Sequence, residues 1–252
     1  MPDNAIATRE LVLEASQCED EGCVYELSLH NRKLRAMLGL ARCVRLRVLD
    51  LSFNSICMIE GLEALGDLRE LKLYGNAITH VGGLEGVLKL QTLLLHDNRL
   101  CPSCAVGSAL ANLSNLATLR LDRNSLLGSE GLQQLKLAQL PALTELNASS
   151  LQLQSVEALI GLRQLATLEL AHNQLSSLGS LAQLTALQVR PPGSAPLPPP
   201  TALRVSESRL SLLQRALPST PSPPGAVPGV QRARGRCPRC PAQAVCPFDP
   251  SA

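Results

Sequence analysis

Two cysteine pairs carry the spacing most often used for chemistry. Cys101-Pro-Ser-Cys104 and Cys237-Pro-Arg-Cys240 are both Cys-x-x-Cys, and Cys246 follows the second pair. Such a pair can supply half of a tetrahedral zinc site. It can also act as a redox dithiol if a helix N-terminus or a cation acidifies one thiol. Pro102 is compatible with a helix start. A zinc site needs two more ligands, however, and the tail cysteines that could supply them are about 130 residues away. A loop is therefore the stronger reading than metal or redox chemistry. Three of the four histidines, His30, His96 and His172, lie too far apart in the repeat pattern described below to share a metal. The motifs G-x-x-x-x-G-K-[ST], G-x-S-x-G and H-E-x-x-H are absent. The sequence thus assigns no catalytic residue, no metal ligand and no cofactor, and a non-enzyme is expected.

The composition asks what else the chain could be. It has 252 residues, abundant Leu, two Tyr, two Phe and no Trp. Scarce aromatic volume with much Leu points to many similar thin layers instead of one irregular core. Residues 190–252 hold eight arginines against Glu207 and Asp249, a balance of +6, which leaves −4 for the rest. The N-terminus has neither a basic stretch nor an apolar run of the secretory kind. No segment has the length and apolarity of a membrane span. These features predict a cytoplasmic or nuclear protein with reduced cysteines. The sequons Asn112-Leu-Ser and Asn147-Ala-Ser then read as chance matches.

The elements that must position any site come from a repeat. Leu46-Arg-Val-Leu49-Asp-Leu51-Ser-Phe-Asn54-Ser-Ile56 recurs as Leu68…Ile78, Leu90…Leu100, Leu116…Leu126 and Leu165…Leu175. Weaker copies start at Val24 and Leu143. Units starting at 24, 46, 68, 143 and 165 have 22 residues, while those at 90 and 116 have 26 and 27. The L-x-L core alternates as a strand does. Apolar residues at positions 14, 17 and 20, such as Ile59, Leu62 and Leu65, suit a short 3₁₀ or helical return. Stacking the units buries each Leu face at roughly 1.5–3 kcal/mol per residue. Asn at position 9 is expected to point inward and satisfy turn amides. Arg32 and Leu151 stand where Asn belongs, so the ladder is expected to loosen at Leu151. Cys101-Pro-Ser-Cys104 falls in or beside the four-residue excess of the unit at 90, where it should bulge, and Cys43 should be a small core residue.

On this register, positions 3, 5, 7 and 8 face the concave side. The central group Asp50, Phe53, Lys72, Tyr74, Leu94, His96, Arg120 and Asp122 mixes aromatic, apolar and charged side chains, the chemistry of a protein-binding hot spot. The alternative is a solvated face; a protein interface is preferred because concave solenoid faces are extended binding surfaces. Residues 1–23 form an N-terminal cap with a helix over 6–16, Thr8 being its N-cap. Residues 24–189 form the repeat domain of about seven units. Residues 190–252, with 15 of the 18 prolines, form a Pro-rich low-complexity tail expected to be disordered. A short helix in 203–216 is possible on its pattern, and no capping repeat follows Val189. Arg232, Arg234, Arg236 and Arg239 form a basic cluster, a weak pointer to nucleic acid because no aromatics interleave.

The pattern resembles the leucine-rich repeat, and it covers about 24–187. The implied fold is an α/β leucine-rich repeat solenoid: a curved parallel sheet with short helical or 3₁₀ returns. The 22-residue unit with Ile56-Cys-Met-Ile-Glu-Gly-Leu62 and Ile78-Thr-His-Val-Gly-Gly-Leu84 resembles one subfamily. That subfamily includes the nuclear regulatory subunit of protein phosphatase 1, axonemal dynein light chain 1 and other ciliary and centrosomal proteins. The opening Ile6-x-Thr8-x-x-Leu11-Val12 and Glu26-Leu-Ser-Leu-His30 look like a dynein-arm assembly factor of that group. The resemblance implies a non-catalytic adaptor for a cytoskeletal or dynein-related protein in a ciliary, axonemal or centrosomal assembly. It implies a phosphatase regulatory subunit second, because that regulator's concave face is richer in aromatics and acids. A nucleic-acid or zinc-linked role of the tail comes third. No membrane partner is expected.

Overall fold

Each unit places one three-residue strand at its positions 3 to 5, because there the Leu at position 4 can enter the core while its neighbours stay outside. A computed structural model describes residues 6–101, 108–124, 127–162 and 164–175, with the backbone alone at 108–109 and 202–204. The strands are β1 (Glu26–Ser28), β2 (Val48–Asp50), β3 (Glu70–Lys72), β4 (Thr92–Leu94), β5 (Thr118–Arg120), β6 (Glu145–Asn147) and β7 (Thr167–Glu169). They pair in chain order, all parallel, with Leu27, Leu49, Leu71, Leu93, Leu119, Leu146 and Leu168 in one register row. An eighth strand, β8 (Ala202–Arg204), pairs parallel with β7. It comes from within the segment expected to be a disordered tail, so the sheet extends by one strand past residue 189. Leu203 and Arg204, where the helix expected in 203–216 would start, are strand instead, and the rest of that stretch, the Arg cluster and the tail cysteines lie outside the described residues.

The core is one continuous leucine column. Positions 1, 4, 6, 11, 14, 17 and 20 of the unit at 46 (Leu46, Leu49, Leu51, Ile56, Ile59, Leu62 and Leu65) are all buried. The returns on the far side are 3₁₀-like: Leu65 N–H bonds Leu62 C=O and Leu68 N–H bonds Leu65 C=O, each at 3.0 Å. Position 16 is glycine in the first three units, Gly39, Gly61 and Gly83, and each has positive φ. A Cβ on Gly83 would lie 2.1 Å from the Ile59 carbonyl oxygen, so this glycine lets one layer rest on the previous one. The longer units carry short helices: α2 (Ser108–Ala111) in the unit at 90 and α3 (Gly128–Gln134) in the unit at 116. The register resumes with Leu110 and Leu113 buried.

The N-terminal cap is the helix α1 (Arg9–Ser16), with the Thr8 hydroxyl accepting from Leu11 N–H at 3.3 Å. Leu11 and Val12 close the first layer. Glu21 is buried beside them, with Arg9 at 3.8 Å and Arg42 at 3.9 Å from its carboxylate. Cys43 is buried, and burial aided by the Glu21 charge pushes its thiol up to about 11. It is a core residue without thiolate chemistry.

Position 9 explains why the turns stack. Asn98 Nδ2 donates to the carbonyls of Leu73 (2.9 Å), Leu95 (3.0 Å) and His96 (3.3 Å), while its Oδ1 accepts from Ile78 N–H at 3.0 Å. Asn54, Asn76, Asn124 and Asn173 repeat this reach to the preceding unit. Where the asparagine is missing, the next one takes two amides: Asn54 accepts from Arg32 and Leu34, and Asn173 from Leu151 and Leu153. Those two turns also carry a second left-handed residue, Lys33 and Gln152. The gap at Leu151 is therefore one-sided. Its own turn is held by Asn173, and what is lost is the reach back to the unit at 116. There Gly128 N–H bonds Leu151 C=O at 3.1 Å and Ser129 Oγ accepts from Gln154 N–H at 2.8 Å instead.

Asn98→Ala leaves several buried turn groups without a partner. It should lower the unfolding free energy by about 1–3 kcal/mol, read as the urea midpoint with an unchanged slope. An unchanged midpoint would contradict the ladder.

Candidate functional site

The end of each strand decides which side chains reach the concave rim. Position 8 is left-handed in every unit: Asn31, Phe53, Gly75, Asp97, Arg123, Ser150 and His172 all have positive φ. Gly, Asn and Asp accept that conformation easily, whereas a bulky aromatic does not. Phe53, at φ 54°, and Arg123, at φ 58°, are the large side chains that depart from this, and Phe53 is 52 % exposed. Its ring lies over the bare backbone of Gly75, where a Cβ would stand 2.9 Å from the ring.

Phe53 belongs to a rail of rings one repeat apart. His30 meets Phe53 edge-on with centroids 5.2 Å apart, Phe53 meets Tyr74 edge-on at 5.3 Å, and Tyr74 stacks on His96 at 4.4 Å. Aromatic pairs of this geometry add about 0.5–1.5 kcal/mol beyond their buried area. The rail brings together Phe53, Tyr74 and His96 from the expected group and adds His30. The signal for His30 was available in its 22-residue spacing from Ser52, to which its Nδ1 is hydrogen-bonded at 2.8 Å.

The rest of the expected group sorts by position. Lys72, Leu94 and Arg120 are register neighbours across β3, β4 and β5 and form a half-buried central row. Lys72 is bonded to Glu70 at 3.2 Å. Burial lowers its pKa, but the Glu70 hydrogen bond and the charges of Glu70 and Asp50 outweigh that and hold it above its ordinary value. Arg120 grips Asp122 with two hydrogen bonds of 3.1 Å. Arg123 reaches Asp97 at 3.1 Å and Asp122 at 3.7 Å, which joins two residues outside the expected group to it.

In three units position 7 sits lower than simple alternation places it, whereas His30 is exposed and Tyr74 half-buried. Ser52, His96 and Asp122 are buried, so they form the floor of the face and not its contact layer. The cause is the turn after the strand, which draws position 7 under the rim while position 8 swings out. His96 is 7 % exposed, and its Nδ1 has no hydrogen-bond partner among the described residues. Burial lowers its pKa below the ordinary 6.5, and Arg120 adds to this against the opposing pull of Asp122 and Asp97.

One contact set could suggest hydrolysis. Asp50 accepts from the Ser52 hydroxyl, which also meets His30 Nδ1. The order is wrong for a nucleophile, since serine stands between the acid and the histidine and is fully buried. Among the described residues no group of three or more His, Cys, Asp or Glu could hold a metal ion. Cys101 packs beside the Thr79 carbonyl, and the remainder of its Cys-x-x-Cys lies outside the described residues.

No protein-family model matches the sequence, and no curated protein matches it. Solved structures do. An internalin (inlF) from Listeria monocytogenes is 23 % identical with a TM-score of 0.62, covering 73 % of this chain and 55 % of that one. An internalin C2 from the same organism is 28 % identical with a TM-score of 0.61, covering 73 % of this chain and 80 % of that one. The chain thus spans about half the length of the first. These neighbours are leucine-rich repeat proteins, and a leucine-rich repeat solenoid is the fold.

The state of His96 gives a pH dependence with a definite sign. The unfolded chain binds a proton at this ring near 6.5, and the folded chain does so only at lower pH. Its contribution is fully present above 6.5 and declines as pH falls from there toward the folded value. The loss of stability between about pH 7.5 and about pH 5.5 should be smaller in His96→Gln than in the parent chain, by denaturant midpoints at both values. Equal losses would show that His96 is not held neutral by the fold.

Proposed function

We propose that this chain is a non-catalytic scaffold that binds a protein partner on its concave face. The contact layer is Phe53, Tyr74, Lys72, Leu94, Arg120 and Asp50, with His96 and Asp122 as its floor. The observation that carries the reading is Phe53. A large aromatic held in a left-handed turn and half open to solvent contributes little to the core. Such strain collects at functional sites. Charged, apolar and aromatic groups beside it complete an interface of ordinary chemistry.

The proposed setting is a ciliary, axonemal or centrosomal assembly. Its support is the 22-residue signature, whose glycine at position 16 has a structural role at Gly61 and Gly83. A regulatory subunit of a Ser/Thr phosphatase is the second reading, favoured by the aromatic rail beside carboxylates. A role for the tail in nucleic-acid or zinc binding rests on residues outside those described.

Leu94→Glu tests the face with little risk to the fold, because the new carboxylate stands between Lys72 and Arg120 in the register. Affinity purification with the full chain should lose its partners on this substitution at an unchanged melting temperature. Dynein chains or tubulin among the lost partners support the first setting, and a phosphatase catalytic subunit supports the second. An unchanged partner set would contradict the concave face as the interface.

A further inference from the structure

We infer that the concave face takes a cationic, extended segment of its partner, with an arginine or lysine laid on the exposed Phe53 ring and its charge toward Asp50 and Glu26. This rests on the reading of the concave face as the interface and names the chemistry it selects.

The charge balance of the face gives the direction. Its cations are already answered from within: Lys72 by Glu70 at 3.2 Å, Arg120 by Asp122 at 3.1 Å, and Arg123 by Asp97 at 3.1 Å. Three carboxylates on the same strands, Glu26, Asp50 and Glu145, have no salt bridge among the described residues. Two of them lie on the first two strands of the sheet, Glu26 opposite Val48 and Asp50 opposite Ser28. An incoming anion would meet cations already held in salt bridges here, and an incoming cation would meet carboxylates that make none.

The aromatic rail gives the second half of the argument. Asp50 connects through Ser52 to His30, and the His30 ring touches Phe53. A chain of contacts through the buried Ser52 thus ties Asp50 to the exposed ring. A guanidinium or ammonium over a ring gains from the quadrupole of the face, and a nearby carboxylate adds to it. Neighbouring side chains do not use Phe53 in this way: the one cation–π contact among the described residues is Arg47 over Tyr25, at 5.4 Å. The rail from His30 to His96 crosses three strand spacings, about 14 Å, which an extended peptide covers in about four residues.

The test is fluorescence anisotropy of the full chain with two labelled twelve-residue probes, one of alternating Arg and Ser and one of alternating Glu and Ser. The Arg probe should bind, more weakly at high salt, and the Glu probe should not. Phe53→Ser and Glu26→Lys should each weaken the Arg probe about tenfold. Glu26 is exposed and without a salt bridge, so Glu26→Lys keeps the result readable if Phe53→Ser misfolds. The inference is overturned if the Arg probe does not bind, if the Glu probe binds as well, or if folded variants bind the Arg probe as the parent does. Should that happen while Leu94→Glu still loses its partners, the partner is not cationic but the interface stands. If Leu94→Glu also keeps its partners, the interface itself fails.

Discussion

The turn that ends each strand is the constraint on which everything else depends. To stack at one strand spacing, each unit must leave the sheet, bury its backbone amides and start back within a few residues. The chain does this by one left-handed residue at position 8 followed by an inward asparagine. Buried backbone groups must be paired, and one asparagine pairs three to five of them across two units. The leucine column follows from this turn and does not cause it. Leucines would pack in many registers, whereas the asparagine fixes one.

The same turn makes the surface. Because position 8 is thrown outward at a fixed interval, its side chains form a line along the rim, and Ser52, His96 and Asp122 at position 7 are drawn beneath them. In most units position 8 holds a residue that tolerates the left-handed region. At Phe53 the local preference and the observed residue disagree, and the disagreement has no compensation in the core. Gly75 in the next unit clears space for the ring. Two neighbouring positions are thus arranged around one exposed aromatic, while the charged groups nearby are mostly locked into pairs. Such a surface offers few groups for covalent chemistry and several for contact.

Much of this was legible in the sequence. The strands, the buried leucines, the inward asparagines and the capped helix at Thr8 follow from a period that recurs in register, and periodicity is a strong signal. The concave group was legible as a set of columns, but its depth was not. Alternation puts Ser52, His96 and Asp122 on the open face, and only the backbone turn shows them to be buried. The second left-handed residue at Lys33 and Gln152 was also hidden, because it depends on which amides the next unit's asparagine accepts. The loosening expected at Leu151 is confined to one side for the same reason. Strand β8 could not be read at all: Ala202-Leu-Arg204 follows a proline-rich run and carries too little of the pattern to be recognised.

The central claim is that Phe53 is kept for contact at a cost to the fold. The direct measurement is the urea unfolding midpoint of Phe53→Gly, since glycine takes the left-handed conformation without penalty. If the ring serves mainly the surface, relief of the backbone strain offsets most of the loss of its two ring contacts, and the stability read from the midpoint falls by less than about 1 kcal/mol. A loss of about 2 kcal/mol or more, the scale of a removed core side chain, would show that Phe53 holds the solenoid together and would contradict the account.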